Sequence, residues 1–364
     1  MYIQESLVAA LAFAGTVSAA PPTPQPNKKG LWAAMRARGR EWIGTALTIR
    51  DDPAETAIVS NPADFNSITP ENAQKWESIE PSRNNFTFAA ADAHVEFAVS
   101  RGYKIHCHTL VWHSQLPPWV SQGNFDNATL ISIMENHINN VAGRYQGKCS
   151  QWDVVNEALN EDGTYRESVF YNTIGEAFIP IAFQMARKAD PHAELYYNDF
   201  NLEYNNAKTL GAQRIVKLVQ SYGVEIQGVG LQAHLTSQPT PSAPTGTTPS
   251  QDVLETVLRG YTDLGVDVAY TEIDVRHVTP GNATNTADQV KSYERIAASC
   301  LAVKRCVGMT VWGVSDKYSW IPGVFPGEGE ANLWDENLNR KPAYDGFLAG
   351  IQNGGKKEPG PAPY

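Results

Sequence analysis

Cysteines, basic runs and long apolar runs are all scarce in this chain, and each scarcity removes a class of protein. Four cysteines in 364 residues are too few for a scaffold in which disulfides replace a core. Lys and Arg number 29 against 39 Asp and Glu, a net charge of -10, and the cations form no extended run. Nucleic acid, whose phosphates need a positive footprint, is therefore excluded as a partner. The apolar stretch Leu7 to Val17 covers eleven residues, short of the ~20 needed to cross a bilayer, so no membrane partner is expected. No G-x-G-x-x-G turn follows the first strand-like run, which argues against a dinucleotide fold. What is present is a 42% hydrophobic composition with nine Trp and fifteen Tyr. Core packing takes most such rings, and a surplus of them lines surfaces that bind flat, partly polar ligands such as sugars.

The ends read as processing and leader segments. Leu7 to Val17 followed by Ser18, Ala19 and Ala20 fits a secretory signal peptide over residues 1–20, although Met1 to Ser6 carries Glu5 and no cation. Residues 21–30 are a Pro-rich extended leader, residues 31–352 a single catalytic domain and residues 353–364 a Gly/Pro-rich tail. Sequons at Asn85, Asn127 and Asn282 fit a secreted glycoprotein with those loops in water. In that compartment Cys300 and Cys306 are expected to pair. Cys107 and Cys149 are expected to remain thiols, because one lies near a strand end and the other just before the next strand begins.

From Arg40 onward, short runs rich in β-branched and aromatic residues alternate with helix-period segments. The runs centre on 43–47, 67–70, 104–111, 152–157, 195–199, 228–234, 268–274 and 309–313. Between the third and fourth, Asn127 to Tyr145 has a helical apolar period, with Asn127 placed to cap it. Eight such units predict an α/β protein, a single (β/α)8 TIM barrel, rather than an open sheet. In such a barrel chemistry sits at the carboxyl ends of the strands. Those ends here are polar and aromatic on seven strands, with Tyr197, Asn198 and Asp199 ending the fifth and Arg276 and Asp316 following the seventh and eighth.

Glu157 and Glu272 close the fourth and seventh runs, which places two carboxylates at the mouth of the barrel. Such a pair is what glycosidic cleavage requires: one group protonates the leaving oxygen while the other attacks, or activates water against, the anomeric carbon. Strand alternation puts Gln232 and His234 on one side of strand six, and Glu272 and Asp274 on one side of strand seven. His234 can therefore reach Glu272 and be supported by Asp274, an arrangement that keeps Glu272 ionised and oriented as a nucleophile.

These residues carry a resemblance. Thr69 to Trp76 and His108 to Pro117 resemble the substrate cleft of glycoside hydrolase family 10, the endo-β-1,4-xylanases, of the secreted fungal type. Trp152 to Leu159, Gly230 to His234 and Thr271 to Asp274 are similar to its acid/base, strand-six and nucleophile motifs. Trp312 to Asp316 with Trp320 resembles its closing aromatic motif, and the match runs from about Gly30 to Gly350. The resemblance implies a retaining hydrolase without metal or cofactor, with Glu157 as acid/base and Glu272 as nucleophile. It further implies that Glu71, Asn72, Lys75, His108, Trp112, Gln115, Asn156, Gln232, His234, Trp312 and Trp320 bind the backbone of xylan or xylo-oligosaccharides on the glycone side. The protein is expected to act as a monomer. His106 and Cys107 stand where Arg and Gly are common in the pattern, and Gln74 where Met is usual. The Pro-rich segment Gln238 to Gln251 reads as a long loop that alters the aglycone side.

Other readings compete. His106 and His108 share a strand face, as in metal-dependent barrel hydrolases, but in those the pair belongs to the first strand and here it is on the third. A non-catalytic sugar-binding barrel would need neither glutamate nor His234. Specificity for cellulose, mannan or a glycosylated plant compound stays open, because a sequence does not show how closely Trp312 and Trp320 crowd the position where glucose carries its hydroxymethyl group.

Overall fold

The structure, a computed structural model, describes residues 30–355. The expected signal peptide, all of the leader but Gly30 and all but the start of the tail lie outside these residues. Ten strands occur among the described residues: β1 (Trp42–Leu47), β2 (Ser67–Pro70), β3 (Lys104–Trp112), β4 (Gln151–Asn156), β5 (Glu194–Asp199), β6 (Gly228–Leu231), β7 (His234–Thr236), β8 (Asp267–Val278), β9 (Cys306–Val311) and β10 (Glu328–Gly329). The parallel ladder runs β1, β2, β3, β4, β5, β6, β8, β9, and β9 pairs back to β1. The eight-stranded barrel is thus closed, with its helices outside. β10 adds an antiparallel edge to the far end of β8.

Burial on both faces explains why these strands read as nearly continuous apolar runs. All six residues of β4 are buried, for example. The helix Asn127–Arg144 lays Leu130, Ile133, Met134, Ile138 and Val141 on the barrel wall. Its cap is Asp126 rather than Asn127: the Asp126 carboxylate accepts from the Thr129 amide at 2.8 Å, and Asn127 is the first helical residue. Two further differences bear on the site. The expected sixth strand is broken, β6 ending at Leu231 and β7 starting at His234, with Ala233 between them at φ 59°. β8 also runs past Asp274 to Val278.

Both cysteine pairs are disulfides. Cys300–Cys306 forms as expected, from the last turn of one helix to the first residue of β9. Cys107 and Cys149 correct the expectation, since they too are bonded, with Cα atoms 5.7 Å apart. Cys107 sits in the middle of β3 rather than near its end. The chain entering β4 is tied to β3 by the Ser150 amide, which donates to the Ile105 carbonyl at 2.9 Å and so brings Cys149 within reach.

Candidate active site

Residues on or just after β2, β3, β4, β6, β7, β8 and β9 line one cleft of about 620 Å³ at the carboxyl end of the barrel, whereas Tyr197, Asn198 and Asp199, singled out at the end of β5, and Asp316 do not line it. Both glutamates and all eleven expected sugar-binding residues line it. Ser114, Phe200, Asn201, Tyr204, Thr236, Ser242, Ala243, Arg276, Val324 and Phe325 line the remainder.

Glu272 is buried, and each of its oxygens is met by a donor. Asn198 Nδ2 donates to Oε1 at 2.7 Å and His234 Nε2 to Oε2 at 3.1 Å. His234 Nδ1 reaches Asp274 Oδ2 at 2.8 Å, and the same oxygen accepts from Trp320 Nε1 at 2.9 Å. Burial opposes a charge on His234, but two flanking carboxylates outweigh it and raise the imidazole to about 10. Burial likewise opposes ionisation of Glu272. The hydrogen bond from His234 and the charges of His108 and His234 win, and hold its carboxyl below the ordinary range.

Glu157 has a different setting. It follows β4 at φ 55°, a left-handed conformation rare for a residue with a side chain. Its amide donates to the Asn198 carbonyl at 2.9 Å, and Arg166 Nε donates to its carbonyl at 3.0 Å. Its carboxylate accepts from Trp112 Nε1 at 2.9 Å and Gln232 Nε2 at 3.0 Å. Asn156 links the two glutamates. Its Oδ1 accepts from Asn198 Nδ2 at 3.0 Å, and its Nδ2 lies 3.4 Å from Glu157 Oε1.

A second group of side chains forms a polar floor. Lys75 Nζ donates to Asn72 Oδ1 at 2.8 Å and Gln115 Oε1 at 2.7 Å, and lies 5.0 Å from the centre of the Trp112 ring. Burial lowers the Lys75 ammonium, and the negative charges of Glu272, Glu71 and Glu157 oppose that. Glu71 accepts from Thr48 Oγ1 at 2.6 Å. Trp312 and Trp320 flank His234 edge-on, with ring centres 6.2 and 4.9 Å away. Asn332 Nδ2 fixes the strand end that carries Trp312 by donating to the carbonyls of Trp312 and Gly313 at 3.0 and 2.7 Å.

The arrangement places one carboxylate held ionised opposite a second that is presented by neutral donors, at the mouth of a barrel, within a polar cleft edged by tryptophans. That is the equipment of a glycoside hydrolase, and a family model described as glycosyl hydrolase family 10 matches residues 30–349. The chain belongs to glycosyl hydrolase family 10. It is 64% identical over 353 residues to endo-1,4-beta-xylanase 2 of Aureobasidium pullulans, covering 96% of this chain and 98% of that one. It is 60% identical over 319 residues to endo-1,4-beta-xylanase A of Fusarium oxysporum f. sp. lycopersici, covering 88% and 97%. Among solved structures it is similar to a GH10 xylanase from Bispora sp. MEY-1 with xylobiose: TM-score 0.84, 38% identity, 88% of this chain and 100% of that one.

The three departures from the family 10 pattern lie together. His106 Nε2 and His108 Nδ1 bracket Asp153, each at 2.8 Å. Gln74 accepts from the His108 amide at 3.1 Å, and its Nε2 lies 3.3 Å from Cys107 Sγ in the disulfide. The His-x-His pair is thus spent on one carboxylate, and among the described residues no three His, Cys, Asp or Glu side chains converge as metal ligands. Asn198 is the residue that sequence reasoning underused. It lies in register with Asn156 on β4 and Gly230 on β6. A Cβ at Gly230 would fall 2.3 Å from Asn198 Oδ1, so the glycine makes room for the amide. Outside the cleft, Asn85, Asn127 and Asn282 are all exposed. Asn282 also caps the helix Ala283–Ala302 through its Oδ1.

Proposed function

We propose that the protein is a secreted endo-1,4-β-xylanase that cleaves internal bonds of xylan and xylo-oligosaccharides with retention of configuration. The observation that carries the reading is the contrast between the two glutamates: Glu272 faces an imidazolium and an amide donor, Glu157 an indole and an amide. In the first step a Glu272 oxygen attacks the anomeric carbon. The bond to the leaving oxygen breaks, and that oxygen takes the proton from Glu157. In the second, water attacks the same carbon, Glu157 takes its proton, and Glu272 leaves as the carboxylate. His234 keeps Glu272 ionised and aimed, and Asp274 supports His234.

The names of the relatives support xylan as substrate, and Trp312 and Trp320 stand beside His234 in the cleft. The remaining eight expected residues, Glu71, Asn72, Lys75, His108, Trp112, Gln115, Asn156 and Gln232, bind the glycone. One catalytic domain over residues 31–352 acts as a monomer, with no cofactor, nucleic acid or membrane. Export is supported by the signal-peptide pattern of residues 1–20, two disulfides and three exposed sequons. The test compares two variants on two substrates. Glu272→Ala is expected to abolish turnover of xylan and of aryl xylosides alike. Glu157→Ala is expected to lose xylan hydrolysis yet keep the first step on aryl xylosides whose leaving group needs no proton. Equal loss on both substrates in the Glu157 variant contradicts its role as the acid.

A further inference from the structure

Strand six breaks where it delivers one side chain to each glutamate, and the break is held by a carboxyl group that the reaction above does not use. Gln232 Nε2 meets Glu157 at 3.0 Å and His234 Nε2 meets Glu272 at 3.1 Å. Between them Ala233 adopts φ 59°, a region in which a Cβ crowds the backbone and glycine is the usual occupant. The Ala233 amide donates to Glu203 Oε1 at 2.7 Å, and its carbonyl accepts from the Asp274 amide at 3.3 Å.

Glu203 comes from the short helical turn Leu202–Tyr204 that follows β5, and it does not line the cleft. Its exposure is 0%, and its Oε2 has no hydrogen-bond partner. Burial pushes its carboxyl up to about 7, against the pull of the hydrogen bonds from its own amide and that of Ala233. Filling this space is better done by Leu or Met, because a buried carboxyl with a bare oxygen loses its hydration without full replacement. What an apolar residue lacks is the acceptor for Ala233.

We propose that Glu203 is a positioning residue: by accepting the Ala233 N–H it fixes the left-handed turn that aims Gln232 at Glu157 and His234 at Glu272. One buried side chain thereby sets both carboxylates of the pair. The inference rests on reading Glu157 and Glu272 as that pair. The role requires an acceptor at the right reach and does not require charge, so the two closest substitutions separate the possibilities. Glu203→Gln keeps an oxygen at the same distance, whereas Glu203→Asp keeps the charge and withdraws the oxygen by one methylene.

The full chain of each variant is assayed on xylan, with kcat per active site from burst titration with an aryl xyloside. Glu203→Gln is expected to retain kcat within about 2-fold, and Glu203→Asp to lose about 10-fold at nearly unchanged KM, as a misaimed constellation does. Adding Ala233→Gly to the Asp variant is expected to recover about 3-fold, since glycine adopts the turn unaided. Wild-type kcat in both single variants, with only melting temperatures lowered, overturns the proposal. So does the reverse order, which would assign the role to charge. If the Asp variant does not fold, a folded Glu203→Gln with kcat down by about 10-fold overturns it as well. Wild-type protein inactive on xylan would instead overturn the underlying functional reading, so it is measured first.

Discussion

At the scale of single residues, the chemistry depends on what surrounds each carboxylate rather than on the carboxylates themselves. Glu272 is buried, and burial alone would favour its neutral form; His234, poised between Glu272 and Asp274, reverses that. Glu272 must be ionised to attack, so activity falls as pH drops through its pKa. His234→Asn removes the positive charge, leaves burial unopposed at that contact and raises the Glu272 carboxyl. The acid limb of kcat/KM is therefore expected to move to higher pH, with a lower maximum; a limb that stays in place contradicts the role of His234. Residues of this kind were legible in sequence because each lies at a strand end, where alternation says which way it points. Asn198 was less legible: its value comes from three partners on two other strands, Asn156 on β4 and Thr271 and Glu272 on β8. No local pattern announces such a bridge.

At the scale of elements, eight strand runs and the helices between them were readable from periodicity because every strand is buried on both faces. The break in strand six was not. Ala233 carries none of the glycine or proline signals of a turn, and its left-handed backbone is maintained by Glu203, thirty residues upstream in the chain. The Cys107–Cys149 link was misread for a related reason: its geometry depends on how far β3 extends below the level at which β4 begins. Strand limits are what sequence resolves least well. The two disulfides close segments of 42 and 6 residues, so loop entropy assigns about 4 kcal/mol to the first and about 2 kcal/mol to the second. Denaturant unfolding of Cys107→Ala/Cys149→Ala is expected to show the larger loss. A larger loss in Cys300→Ala/Cys306→Ala contradicts that ranking.

For the whole molecule, buried titratable groups give stability a definite pH dependence. Burial opposes ionisation of Asp153, but His106 and His108 overcome it and hold the carboxyl at about 2. Its contribution is thus present above the unfolded value of 3.8 and is lost as pH falls towards 2. Asp199 and Glu203 behave oppositely: burial raises both to about 7, so the folded state keeps protons the unfolded chain has released, and stability declines between pH ~4 and 7. His234, raised to about 10, stabilises fully below 6.5 and loses that contribution as pH climbs to 10. The melting temperature is therefore expected to peak in the mildly acidic range and fall steadily to pH 10. A maximum above pH 8 contradicts this balance. The central claim, two carboxylates acting in turn on one anomeric carbon, is tested most directly by proton NMR of the anomer first released from xylo-oligosaccharide. Double displacement through Glu272 predicts that the β-anomer appears first and then mutarotates; an initial α-anomer would contradict the account.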